Sequence, residues 1–213
     1  MRHSSVKPRP SLTVPCIRSA SPVPLGLIRD ARFAAPASTA GLLMAGLFAV
    51  FSGAPRVLLE GFGLSPVMLG LLFAGVVFLV FGAGMLAPRL AARFGLYRAI
   101  LVGLGSAVVG GIALLIAILV ARNALLPFFV TASIFLFGLG IASPLSSAAA
   151  LSPFGDKAGA AAALFGFSQM AGAACGAWLA AILDSDPAIG LGTVLALTSL
   201  LALVLHGWKR RPE

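Results

Sequence analysis

Few side chains in this sequence of 213 residues could take part in covalent or proton chemistry, and their spacing assembles no site. The two histidines are His3 and His206, and the two cysteines are Cys16 and Cys175, with no CxxC and no Cys/His cluster. Neither a metal site nor a disulfide framework is drawn by that pattern. The six acids stand at 30, 60, 156, 184, 186 and 213, outside every long apolar run. A serine nucleophile needs a general base in reach, and His206 reads as an edge residue outside any cavity. A proton-driven device needs a titratable group within the membrane, and no apolar run here contains Asp, Glu, Lys or Arg, with His206 only at the edge of the last run. Catalysis, a cofactor and a metal are therefore not expected.

The remaining chemistry is polar but neutral. Gln169 is an amide well inside an apolar run, where an amide needs partners and must face protein or a water cavity. It reads equally as a substrate contact and as a structural hydrogen bond between helices. Ser143 and Ser146 flank Pro144, which interrupts a helical run; hydroxyls and neighbouring helices can satisfy the carbonyl that proline frees. A cavity-lining break and a plain kink both fit, and Ser143 and Ser146 stand with Gln169 as the candidate substrate contacts. Ser168, Gly172, Gly176 and Ala180 recur every four residues, so on a helix they make one stripe that permits close backbone approach. The stripe is either a seam against a second bundle or ordinary packing within one. Asp156 is placed to cap the helix that carries it. Between two other runs lies a loop with Gly84, Arg89, Arg93, Gly95 and Arg98. Gly84 would let a helix end against a neighbour, Gly95 suits a tight turn, and the arginines can meet acids, helix carboxyl ends or lipid heads.

The elements that must position these residues follow from composition. Hydrophobic residues make up 60% and charged residues 10%, with a mean hydropathy of +1.06. Soluble domains run near ~45–50% apolar and ~25% charged, so this is not a water-soluble globule. A bilayer core ~30 Å thick needs ~20 apolar residues per helix. Six runs qualify, at about 34–54, 66–87, 99–121, 124–150, 158–182 and 188–207, separated by short turn-rich connectors that include Ala54-Pro55-Arg56 and Pro88-Arg89. They are continuous rather than alternating, which favours helices over barrel strands. The expected fold is an all-α polytopic membrane protein with six transmembrane helices in one bundle, spanning 28–208. Residues 1–27 read as a disordered basic tail and 209–213 as a short second tail.

The formal charge of +9 does not indicate nucleic acid, because the basic residues sit between the apolar runs. With both termini cytoplasmic, 13 of the 15 Lys and Arg fall on that side and only Arg56 and Arg122 on the other. That asymmetry predicts a multi-pass protein of the plasma (inner) membrane with membrane lipids as its surroundings.

Several of these motifs carry a resemblance. The entry segment 27–33, the stretch 61–66, Leu71 to Ala74, the 84–98 loop, Phe137 to Gly140 and above all Pro153 to Met170 resemble the carboxyl-terminal half of a major facilitator transporter. They are most similar to the bicyclomycin-resistance (Bcr/CflA) type of drug:proton antiporter. Residues 25–207 carry the likeness and residues 1–24 do not. Where the superfamily's loop motif often carries an acid, this chain has Pro88 or Ala92, which removes the usual charge lock there. The resemblance implies multidrug efflux of a small amphipathic substrate by an antiporter. It implies a second six-helix bundle, on a separate chain or in a homodimer, with helices one and four lining a central cavity. Helices two and five would meet the other half. The family's proton-carrying carboxylates lie mostly in the other half, which fits their absence here. The alternatives are an inactive remnant of a truncated transporter gene and a homodimeric facilitator.

Overall fold

The computed structural model describes Leu27 and residues 29–121, 124–183 and 186–208. The basic tail up to residue 26, residue 28, the 209–213 tail, the Arg122–Asn123 connector and Asp184–Ser185 lie outside the described residues. Among the described residues the long α-helices are α1 (Ala31–Arg56), α2 (Pro66–Phe94), α3 (Leu96–Val120), α4 (Leu125–Leu151), α5 (Ala158–Ile182) and α6 (Pro187–Trp208). The chain is a polytopic helical membrane protein. Five continuous helical segments are long and apolar enough to cross a membrane. The fourth of them is Leu125–Ile182, at 58 residues, in which α4 runs through a 3-10 stretch (Ser152–Lys157) into α5.

Local sequence explains most boundaries, and corrects several. Asp30 accepts from the Arg32 amide at 2.8 Å and starts α1. Ser65 caps α2 through the Met68 amide, with Pro66 at the first helical position, where no N–H is needed. The Asp186 carboxylate accepts from the Ile189 amide at the start of α6. Asp156 makes no such cap: the 3-10 stretch intervenes, and Lys157 precedes α5 without a side-chain bond. The connector expected at 54–56 is helical, and α1 passes through Pro55 into a π-helical stretch, Val57–Gly61. The Arg56–Glu60 pair there, at 3.6 Å, is exposed and adds little. The connector expected at Pro88-Arg89 is helical too. Pro88 occupies an exposed turn, and α2 ends only at Gly95, whose φ of 84° and ψ of 153° suit glycine alone.

Neighbouring helices are identified by where their backbones meet. α1, α6, α3 and α4 close a ring, each packed on the next and α4 on α1; α5 leans on α1, and α2 leans mainly on α4. Gly46 lies beside Thr198 and Gly53 beside Leu191, so α1 and α6 are antiparallel. Gly111 beside Leu195 and Gly192 beside Leu115 make α6 and α3 antiparallel. Gly103 beside Ala142 and Gly110 beside Phe135 do the same for α3 and α4. Along α1 and α5 the numbers rise together: Gly41 meets Gly172, Ala45 meets Gly176 and Gly53 meets Ala180. α5 therefore runs with α1 and against α4, and the chain reverses between α4 and α5. The reversal falls at the 3-10 stretch, where Phe154 leaves helical geometry (φ −119°, ψ 38°) and sets its ring edge-on to Phe33 at 6.0 Å. Phe135 fills the middle of the four-helix ring with no exposed surface.

Candidate functional site

The small-residue stripe of α5 faces α1 of the same chain. A β-carbon on Gly172 would overlap the Gly41 carbonyl, and one on Gly176 would overlap the Ala45 carbonyl. Ser168 donates its hydroxyl to Ala37 O at 3.3 Å and to its own helix at Phe165 O, 2.7 Å. Ala180 completes the seam opposite Gly53. Of the two sequence readings, a seam against a second bundle and packing within one, the geometry here is the second. The cause is a matching stripe on α1, Ala37, Gly41 and Ala45 at four-residue spacing with Gly53 two such steps on, which is visible in the sequence and was the missed signal.

The candidate substrate contacts lie on two helices, Gln169 on α5 and Ser143 and Ser146 on α4. Gln169 is half-buried on α5 beside the seam and hydrogen-bonds to no described residue. Ser143 is half-buried on α4. Ser146 is fully buried with its Oγ unsatisfied, so it sits in the packed interior rather than on a cavity wall. Pro144 stays within α4. The carbonyl of Gly140, four residues earlier and deprived of its usual donor, lies where a β-carbon on Gly84 would be 3.6 Å away. That is an ordinary contact, so the close approach of α2 to α4 rests on Gly140 instead, where a β-carbon would overlap the Val80 carbonyl. In the loop motif, Arg89, Arg93 and Arg98 are exposed, and the Arg93 guanidinium lies 5.5 Å from the Phe94 ring centroid. Among the described residues no carboxylate pairs with these three arginines.

Two concavities are informative. The first is an apolar groove of about 420 Å³ between α1, α5 and α6, into which Leu42, Cys175, Leu179 and Leu197 face. Its hydroxyls at Ser38, Ser168, Thr193 and Thr198 are already bonded to backbone carbonyls, so the groove offers carbon, the Cys175 thiol and no free hydroxyl. The second lies where α1 and α3 begin and α4 and α6 end, and it contains His206. The sequence reading of His206 as outside any cavity is therefore corrected. The last turn of α6 points inward, and the imidazole stacks on Tyr97 with centroids 4.9 Å apart and planes 17° from parallel. Apolar side chains on α2 (Val67, Phe78, Met85) and α5 (Phe167, Trp178) are exposed on the outer surface, as lipid or a further helical bundle would require.

Among the described residues there is no group of His, Cys, Asp and Glu that could hold a metal. Comparison with protein families gives one finding. The model described as Major Facilitator Superfamily matches residues 2–177. The match begins within the tail that the motif resemblance left out, and it ends inside α5. No curated protein matches the chain.

Proposed function

The chain belongs to the major facilitator superfamily of membrane transporters, and from that premise we propose that 28–208 form one six-crossing half of a transporter that works with a second bundle. The observation that carries this reading is a symmetry in the packing. Exchange α1 with α4, α2 with α5 and α3 with α6, and the principal contacts map onto themselves. α5 on α1 becomes α2 on α4, α6 on α1 becomes α3 on α4, and the α1–α4 and α3–α6 pairs are each kept. α1 and α4 run in opposite directions, so the two triplets are inverted. Inverted three-helix repeats nested within each six-helix half are the build of such transporters, whose two halves rock against each other about the site between them. The direction reversal at Phe154 supports two crossings within Leu125–Ile182. Each of its helices, at 25 or more residues, is also long enough for a core ~30 Å thick.

In this reading α1 and α4 approach the cavity shared with the second bundle, and the exposed faces of α2 and α5 flank it. Gln169 and Ser143 are its polar contacts. Both termini are cytoplasmic, in the plasma membrane, on the side rich in arginine and lysine. Likeness to drug:proton antiporters points to amphipathic drugs as cargo. None of α1 to α6 carries a carboxylate within its bounds, so a proton carrier, where used, belongs to the second bundle. Deleting the coding segment in its host should raise susceptibility to amphipathic drugs and ethidium retention, with both restored by the wild-type chain. Unchanged susceptibility and retention across a drug panel would remove efflux from the account and favour the inactive remnant.

A further inference from the structure

Four helix ends enclose a cavity of about 340 Å³ at the face of the bundle that also carries Arg93 and Arg98. Its polar groups come from four elements: Arg32 on α1, Tyr97 on α3, Ser152 after α4 and His206 on α6. All four can donate hydrogen bonds, and among the described residues no carboxylate lines the cavity. The acid nearest in sequence, Asp30, is engaged as the cap of α1, where its Oδ1 accepts from the Arg32 amide. The floor is carbon, supplied by Ala35 and Ile100. The stacked Tyr97 and His206 rings hold two of the donors in fixed positions, and His206 is only 7% exposed.

We propose that this cavity seats the phosphodiester of an anionic phospholipid, with the guanidinium of Arg32 on the phosphate and the upper acyl carbons on the apolar floor. Donors and one cation above a carbon floor, at the end of spanning helices, complement the phosphodiester of an amphiphile, and with no carboxylate among the described lining residues the ammonium of a zwitterionic headgroup finds no partner there. A free phosphate ion would use the rim but leave the floor unfilled. The inference rests on the chain spanning the membrane, not on transport, so a failed efflux assay leaves it standing.

The test uses the purified full chain in detergent, with phosphatidylglycerol, phosphatidylcholine and inorganic phosphate added separately. Binding is read by native mass spectrometry and by thermal unfolding. Phosphatidylglycerol should remain bound at collision energies that strip phosphatidylcholine, and should raise the unfolding temperature. Arg32→Gln, at an exposed side chain whose backbone cap persists, should weaken that binding about fivefold. His206→Phe, which keeps the ring stack, should weaken it less. Arg89→Gln, on α2 away from the cavity, should leave it unchanged. Equal retention of the two lipids, an equal loss in Arg89→Gln, or the same stabilisation by inorganic phosphate alone would each overturn the assignment.

Discussion

Replacing Gly176 with valine should separate α5 from α1 and remove the monodisperse folded chain from a detergent extract. A β-carbon alone already overlaps the Ala45 carbonyl, and the obstacle is backbone rather than a movable side chain. The seam must open along its length, which also breaks the Ser168 bond to Ala37 O and the contact at Gly172. Overpacking a fitted interior costs ~1–3 kcal/mol when side chains can shift, and here they cannot, so about 3 kcal/mol is the floor. Gly176→Ala should already lower the unfolding temperature. Gly105→Ala is the matched control: it makes the same chemical change inside α3, where nothing lies within 4 Å. It should be neutral or slightly stabilising, since alanine is the better helix former. Equal behaviour of the two alanine variants would mean that α1 and α5 do not meet as described.

Phe135→Ala should act from the opposite direction, by leaving a hole. The ring has no exposed surface and reaches across the four-helix ring to Gly46 on α1, beside Thr198 of α6. In a bilayer the separated helices are solvated by lipid tails about as apolar as the protein interior, so the hydrophobic transfer term largely cancels. The loss of packing remains. An aromatic truncated in a core that cannot collapse costs ~3–5 kcal/mol in soluble proteins. With the transfer part removed, about 2–3 kcal/mol is expected, a fall of about 5–10 °C in the unfolding midpoint. Differential scanning fluorimetry in detergent reads it. A smaller change than Leu126→Ala, at an exposed residue of the same helix, would contradict the central placement of the ring.

What the sequence made legible and what it hid have a common physical cause. Charge-free runs of about 20 residues announce helices because lipid demands internal backbone bonding, and α3, α4, α5 and α6 fall within a few residues of their expected bounds. The loop prolines misled, because Pro55 and Pro88 sit where a helix near its end can lose one backbone bond without stopping. Which stripe meets which helix is a tertiary fact, and the periodicity of Ser168, Gly172 and Gly176 carried no address. The address was the second stripe, Ala37, Gly41 and Ala45, 131 residues earlier along the Ser168–Ala37 bond. His206 was hidden for a similar reason: nothing in the sequence says that the last turn of α6 folds its edge onto Tyr97. The helical hydrogen bonding of Leu125–Ile182 runs on through the bend, so its reversal is legible only from which residues meet α1.

The central claim is that the chain crosses the membrane six times as two inverted triplets, and cysteine accessibility tests it most directly. In a background with Cys16→Ser and Cys175→Ala, single cysteines at Gly61, Arg93, Gly155 and Leu183 are exposed to a membrane-impermeant maleimide in intact and in opened cells. Six crossings predict Arg93→Cys and Gly155→Cys labelled only in opened cells, and Gly61→Cys and Leu183→Cys labelled in intact ones. One crossing by Leu125–Ile182 would instead leave Gly155→Cys unlabelled in the bilayer and put Leu183→Cys on the same side as Arg93→Cys, and that pattern would contradict the account.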